Sequence, residues 1–363
     1  MSLGSIVLPA LIEPFAAAGR IKACRFQLCS KPTASSRSMS GSARRAMDSH
    51  VSWPSGKMDC RVSLSVAMQL SCLVIRSLKI TEIYSNVIAR RLNRHGPSPI
   101  VIIKTERDMW LRIRQIAGVA EKLQPVEDDL KEILGVEVCY RDPGVGYFGL
   151  ENALFPIGDQ LLEVVAPIKA NTAGGRYIER RGGDSGYMVI TQCDDHPPRR
   201  AHVDELGIRI VLDNQSSEFI NLQLHPRDTG GTFFEIDQQL GKGALDKDGP
   251  WHPAGPDWQR AKQLGRVKGI AAAEIQCDDP ASVSQRWAEI AQLPLDTSDG
   301  ISQICFENAV VRFVACTDGR PEGLGGIDIK ATNKTAILDA AAARGKISGD
   351  DQVYVCGMRM NLV

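Results

Sequence analysis

No two of the chain's ten cysteines are spaced as CxxC. Their spacing therefore spells no zinc site and no disulfide framework. Cys139, Cys305 and Cys356 stand in apolar, strand-like contexts, as small core residues of a reducing compartment do. No apolar run reaches the roughly 18–20 residues that span a bilayer, and the stretch from Val66 to Ile75 is about half that length. The sequence predicts no membrane partner. The glycine pairs Gly144/Gly146, Gly174/Gly175 and Gly182/Gly183 open no helix after a strand, so none forms a phosphate-binding fingerprint; they read as loop hinges. Acidic side chains are scarce at the start. Residues 1–105 hold 4 Asp and Glu against 15 Lys and Arg, and since the whole chain has zero formal charge the remainder carries a net −11. An acidic body excludes nucleic acid as the main partner.

The 363 residues are enough for two ordinary domains, and the 43% hydrophobic and 24% charged content is that of a globular protein. Residues 1–105 are Ser- and Arg-rich with no sustained hydrophobic period, as in Ser35-Ser36-Arg37-Ser38. They read either as a disordered extension or as an organellar transit segment. The expected compartment is the cytoplasm in the first case and an organelle in the second.

From Leu111 the patterning sharpens. Ile113–Val119 reads as a strand, Pro125–Leu134 as a helix opened by proline, and Glu137–Tyr140, Tyr147–Leu150 and Leu161–Val165 as three more strands. The order β-α-β-β-β then recurs: a strand over Tyr187–Thr191, a helix over Pro197–Leu206, and strands over Ile208–Leu212, Phe219–Leu224 and Thr232–Ile236. Residues 239–264, rich in Gly, Pro and Asp, read as a linker or ordered loop. A third unit begins at Val267 with its helix over Pro280–Ala291. A fourth runs from Gly326 with a helix over Lys334–Arg344. The predicted fold class is α+β: paired βαβββ modules forming two β-cup domains, one over 110–238 and a degenerate one over 265–363.

Three predicted strands each carry one polar residue among apolar ones: Gln115 in Arg-Gln-Ile-Ala, Glu163 in Leu-Glu-Val-Val and Glu235 in Phe-Glu-Ile. A carboxylate buried in an apolar strand raises its pKa unless a cation, metal or donor compensates. On the third strand Leu161, Glu163 and Val165 share one face, while Leu162 and Val164 turn to the helix. Tyr147, Phe148, Phe155, Tyr177 and Tyr187 are candidate pocket or core aromatics. His225, in the turn before Pro226, reads as structural or exposed. The second half offers no ligand set: Ala271-Ala-Ala273 stands at the corresponding place on its first strand. Arg312 reads as exposed or as a partner for an anion.

The repeated βαβββ order, together with Leu224-His-Pro-Arg-Asp-Thr-Gly-Gly-Thr-Phe-Phe-Glu235, resembles the vicinal oxygen chelate superfamily. That group includes glyoxalase I, methylmalonyl-CoA epimerase, extradiol dioxygenases and the bleomycin-resistance proteins. The resemblance implies glyoxalase/bleomycin-resistance-type cups with a divalent metal held on strands one and four of each module. It places Gln115, Glu163 and Glu235 at three of four ligand positions, with Met188 where the fourth, a histidine, would stand. The expected ion is Mn, Mg, Ni or Zn, or none, because a thioether suits mainly copper(I). The implied activity is that of a metal-dependent lyase or isomerase moving a proton next to a carbonyl of a small oxygenated substrate. Glu235 would be the base, and Glu163 the second carboxylate and ligand. The alternative is a metal-free protein that binds or sequesters a small molecule. A homodimer is compatible with either.

Overall fold

A computed structural model describes residues 109–363; expectations for residues 1–105 lie outside the described residues. Among the described residues, fifteen strands form two mixed sheets. The first holds β1 (Leu111–Val119), β2 (Leu150–Ile157), β3 (Gln160–Pro167), β4 (Ser185–Cys193), β5 (Ile210–Gln215), β6 (Phe219–Leu224) and β7 (Phe233–Gln239), in the order β2-β3-β1-β4-β7-β6-β5. The second holds β8 (Val267–Cys277), β9 (Leu295–Asp296), β10 (Ser302–Cys305), β11 (Val310–Ala315), β12 (Gly323–Ala331), β13 (Ile347–Gly349), β14 (Gln352–Val355) and β15 (Met358–Leu362), in the order β13-β14-β15-β12-β8-β11-β10-β9. Each sheet is built from two halves that meet at a central antiparallel pair, β1 with β4 and β8 with β12. Within each half the first strand pairs parallel with the last: β1 with β3, β4 with β7, β8 with β11, β12 with β15. This is the α+β arrangement expected of paired βαβββ cups.

Among the described residues, five α-helices accompany the strands: α1 (Leu123–Leu134), α2 (Ala173–Arg181), α3 (His196–Glu205), α4 (Pro280–Ala291) and α5 (Lys334–Ala343). The α1 face made of Val126, Leu130, Ile133 and Leu134 is buried with Leu162 and Val164 of β3. That core continues into the second sheet through Ile275, Phe313 and Ile327. Trp287 of α4 stacks on Phe234 of β7 with ring centroids 4.3 Å apart. Asn308 bonds both the N–H and the C=O of Ile113, each at 3.0 Å. Arg320 donates to the carbonyls of Arg181, Asp184 and Gly357. The central strands β4 and β12 approach at Gly186, where a Cβ would stand 2.5 Å from the Leu324 carbonyl oxygen, so only glycine fits.

Three stretches depart from the expected elements. Residues 137–140 form only an isolated bridge, Tyr140 to Leu154. In place of a strand at 147–150 there is a 3-10 turn over Pro143–Phe148, followed by β2. The Asp142 side chain accepts from the Gly144 N–H, Pro143 sets the first turn, and Gly149 at φ 73° ends it. The supposed hinge glycines bracket a helix: Thr172 caps α2 by accepting from Gly175, and Gly182 closes it in a left-handed conformation. Local capping overrode the poor helix propensity of two consecutive glycines.

Residues 240–265 are an ordered strap across the end of the first sheet. Its fasteners are two buried arginines of β1. Arg112 donates to the carbonyls of Leu245 and Asp246, and Arg114 to those of Asp159, Lys247 and Gly249. The Arg114 guanidinium lies between the rings of Trp251 and Trp258, 5.5 and 5.1 Å from their centroids. Burial lowers its pKa to about 10, which leaves it charged at neutral pH.

Candidate functional site

A β-bulge in β1 sets the site. Ile113 faces Thr191 and Gln115 faces Ile190, so Arg114 is an extra residue against β4. Ile113 and Ile116 therefore both enter the shared core, and Gln115 turns to the opposite face of the sheet. On β3 the alternation puts Leu161, Glu163 and Val165 on that same face, and on β7 it puts Phe233, Glu235 and Asp237 there. Apart from Leu161, these side chains line one cavity of about 240 Å³, together with Asn221, Tyr187 and Met188. Gln115, Glu163 and Glu235 are thus brought to a single cavity. Phe148 joins them, whereas Phe155 lies in the shared core, Tyr177 is buried with its hydroxyl on the Gly231 carbonyl, and Tyr147 is exposed.

The hydrogen bonds give each group a fixed orientation. The Trp251 indole N–H donates to Gln115 Oε1 at 2.9 Å. An indole nitrogen can only donate, so the amide oxygen of Gln115 must face Trp251, and its NH2 faces Glu163, donating to Oε2 at 2.8 Å. Asn152 donates to the other oxygen, Oε1, at 2.6 Å. Burial raises the Glu163 pKa, while these two amides and the nearby Asp142 act in smaller measure, the amides downward and Asp142 upward. Both bonds favour the ionised carboxylate.

The second carboxyl group differs. Glu235 and Asp237 are buried side by side on β7. Asn221 on β6 donates to both, at 3.3 and 3.0 Å, and the Leu222 N–H donates to Asp237 Oδ1. The Glu235 and Asp237 side chains are also hydrogen-bonded to each other. Burial first, then repulsion from Glu163, pushes Glu235 up to about 8. Burial and the charge of Glu235 hold Asp237 well above the usual carboxylate range. At neutral pH this pair keeps a proton.

The residues do not fit the metal implied by the resemblance. Gln115 offers the cavity its NH2, which cannot ligate. Met188 stands where an imidazole would, its sulfur 4.0 Å from the Gln223 amide nitrogen. Among the described residues no group of three His, Cys, Asp or Glu is placed to hold an ion. In this orientation Gln115 positions Glu163. His225 is structural, its Nδ1 accepting from the Arg227 N–H. Asp237, Asn221, Asn152 and Trp251 were not singled out from the sequence. Only Asp237 left a signal there, two residues beyond Glu235 and so on the same strand face.

On the second sheet the matching face is filled by ion pairs. Arg312 is not exposed: its side chain is 21% accessible and pairs with Asp328 and Glu274. Arg359 bonds Glu274 at 2.8 Å and Asp318 at 3.1 Å. Arg312 stands on β11 opposite Glu274 of β8, as Glu163 on β3 stands opposite Ala117 of β1. An internally paired arginine thus occupies the place of the first sheet's carboxylate.

No family model matches the sequence, and no curated protein matches it. Among solved structures, the chain is similar to methylmalonyl-CoA epimerase from Streptomyces coelicolor in complex with 2-nitronate-propionyl-CoA, at 19% identity over 36% of this chain and 98% of that one, with a TM-score of 0.33. Methylmalonyl-CoA epimerase from Mycobacterium tuberculosis matches at 16% identity over 36% and 89% of the two chains, with a TM-score of 0.32. A hypothetical protein from Staphylococcus aureus matches at 11% identity over 70% of this chain and 99% of that one, with a TM-score of 0.49. At such values the likeness carries no chemistry, which rests on the cavity's own side chains. No helix among the described residues is long and apolar enough to cross a membrane.

Proposed function

We propose that the cavity of the first sheet binds a small oxygenated molecule and moves a proton next to its carbonyl, as an isomerase or lyase of glyoxalase-like fold. The observation that supports this most is the contrast between two buried carboxyl groups. Glu163, whose carboxylate form Gln115 and Asn152 favour against the upward pull of burial, is the base that takes the proton from the carbon beside the carbonyl. The Glu235–Asp237 pair, protonated at neutral pH, donates to the carbonyl oxygen as negative charge develops there. A carboxylic acid kept neutral by an apolar site is a competent donor of this kind. This exchanges the roles expected from the resemblance, in which Glu235 was the base. No step passes through a metal.

The test is hydrogen–deuterium exchange at the carbon next to the carbonyl, followed by NMR for a panel of small hydroxyketones in heavy water. Exchange should require the protein and fall by about a hundredfold or more in Glu163→Gln. Catalysed exchange that survives Glu163→Gln would overturn the assignment of the base. Retention of a ligand with no exchange across the panel would leave binding without chemistry, the alternative reading.

A further inference from the structure

The walls of the cavity carry one sign of charge. Asp142 approaches from the loop before β2, Glu163 from β3, and Glu235 and Asp237 from β7. Among the described residues no Lys, Arg or His lines it. Arg176 of α2 is felt at the Tyr187 phenol but is not part of the wall. The groups contributed by β1, β6 and the strap, namely Gln115, Asn221, Gln223 and Pro253, are uncharged. Tyr187 and Phe233 complete the lining as an edge-to-face pair with centroids 4.9 Å apart. Asp237 is 1% exposed, and its side chain is hydrogen-bonded to that of Glu235.

We propose that this cavity takes a small organic ammonium cation with an apolar body and rejects carboxylates and phosphates. The inference rests on the cavity being the ligand site and adds the charge of the ligand. An anion would enter beside four carboxyl groups with no cation to pair with, an unfavourable desolvated like-charge contact. An ammonium group finds carboxyl oxygens and the rings of Tyr187 and Phe233 in one lining, the kind of pairing that holds alkylammonium groups elsewhere. Where the cation carries no carbonyl to take that proton, its arrival favours the ionised form of the Glu235–Asp237 pair, so one proton leaves the pair for solvent as the cation binds.

Three probes of similar shape separate the possibilities: tetramethylammonium, tert-butanol and pivalate, titrated calorimetrically into the full chain from about pH 6 to about pH 9 in buffers of different ionisation enthalpy. Tetramethylammonium, which does not itself titrate, should bind in preference to the other two. Its affinity should rise by up to about tenfold per pH unit and level off once Glu235 is ionised, with proton release visible as a buffer-dependent heat. The double variant Glu235→Gln/Asp237→Asn should lose that pH dependence. Equal or tighter binding of tert-butanol, or any preference for pivalate, would overturn the charge assignment and leave the cavity as a ligand site. Binding of none of the three would overturn both. Cation binding that is independent of pH and unchanged in the double variant would place it outside the cavity and overturn the proposal as well.

Discussion

Glu235 is the residue at which burial has the largest chemical consequence. Its folded pKa of about 8 lies far above the ordinary 4.5, chiefly through desolvation. An acid with a raised folded pKa contributes least penalty below its unfolded pKa, where both states are protonated. The penalty grows as pH rises through the interval and is complete above the folded value. The protein should therefore lose stability between about pH 4.5 and about pH 8, and Glu235→Gln should flatten that decline in urea unfolding followed against pH. A decline equally steep in the variant would assign it to other groups. Trp251 acts one bond further out. Trp251→Phe removes the indole N–H that fixes the Gln115 amide oxygen, at a cost of about 1 kcal/mol. The freed amide can then turn its oxygen to the cavity, so metal analysis by mass spectrometry after soaking in manganese should find more bound ion in Trp251→Phe than in the parent. Equal loading would show that the Gln115 orientation does not control metal access.

At the scale of elements, the strap is the piece that neither pattern nor period announces. Its composition suggested only a loop, yet it supplies Trp251 to Gln115 and is held by the side chains of Arg112 and Arg114. Arg114→Met keeps the length of the side chain and removes three donors to carbonyls. It should destabilise the protein by about 3 kcal/mol, because buried carbonyls are left without partners. Hydrogen exchange should rise first over 240–265, and unchanged protection there would show that the strap is held by its tryptophans alone. The bulge at Arg114 belongs to this scale too. It turns two successive polar residues of β1 away from the core, which simple alternation does not allow.

Across the whole described molecule, the two sheets share one apolar core. Trp287 is fully buried against Phe234, and its indole donates to the Thr229 carbonyl. Trp287→Ala should cost about 3–5 kcal/mol. The loss should appear in both sheets together, with one unfolding transition by fluorescence and by circular dichroism. Two separated transitions would show that the sheets unfold independently despite the shared core.

The sequence determined the class of the fold and much of the site. Strand and helix periods are local, so the repeated β-α-β-β-β order, α1, α4 and α5, and the faces of β3 and β7 were legible from Leu161–Val165 and Phe233–Ile236 alone. The lone polar residues Gln115, Glu163 and Glu235 were visible for the same reason, since a buried carboxylate in an apolar alternation is conspicuous wherever it falls. Tertiary structure decided what those residues do. Which atom of the Gln115 amide faces the cavity depends on Trp251, 136 positions away. Whether Glu235 is a base or an acid depends on Asp237, Asn221 and the distant charge of Glu163. Arg312 was legible as a charge but not as half of an ion pair with Asp328. Hydrophobic period is written residue by residue, whereas the direction of a hydrogen bond and the ionisation of a buried acid are set by neighbours that only folding brings together.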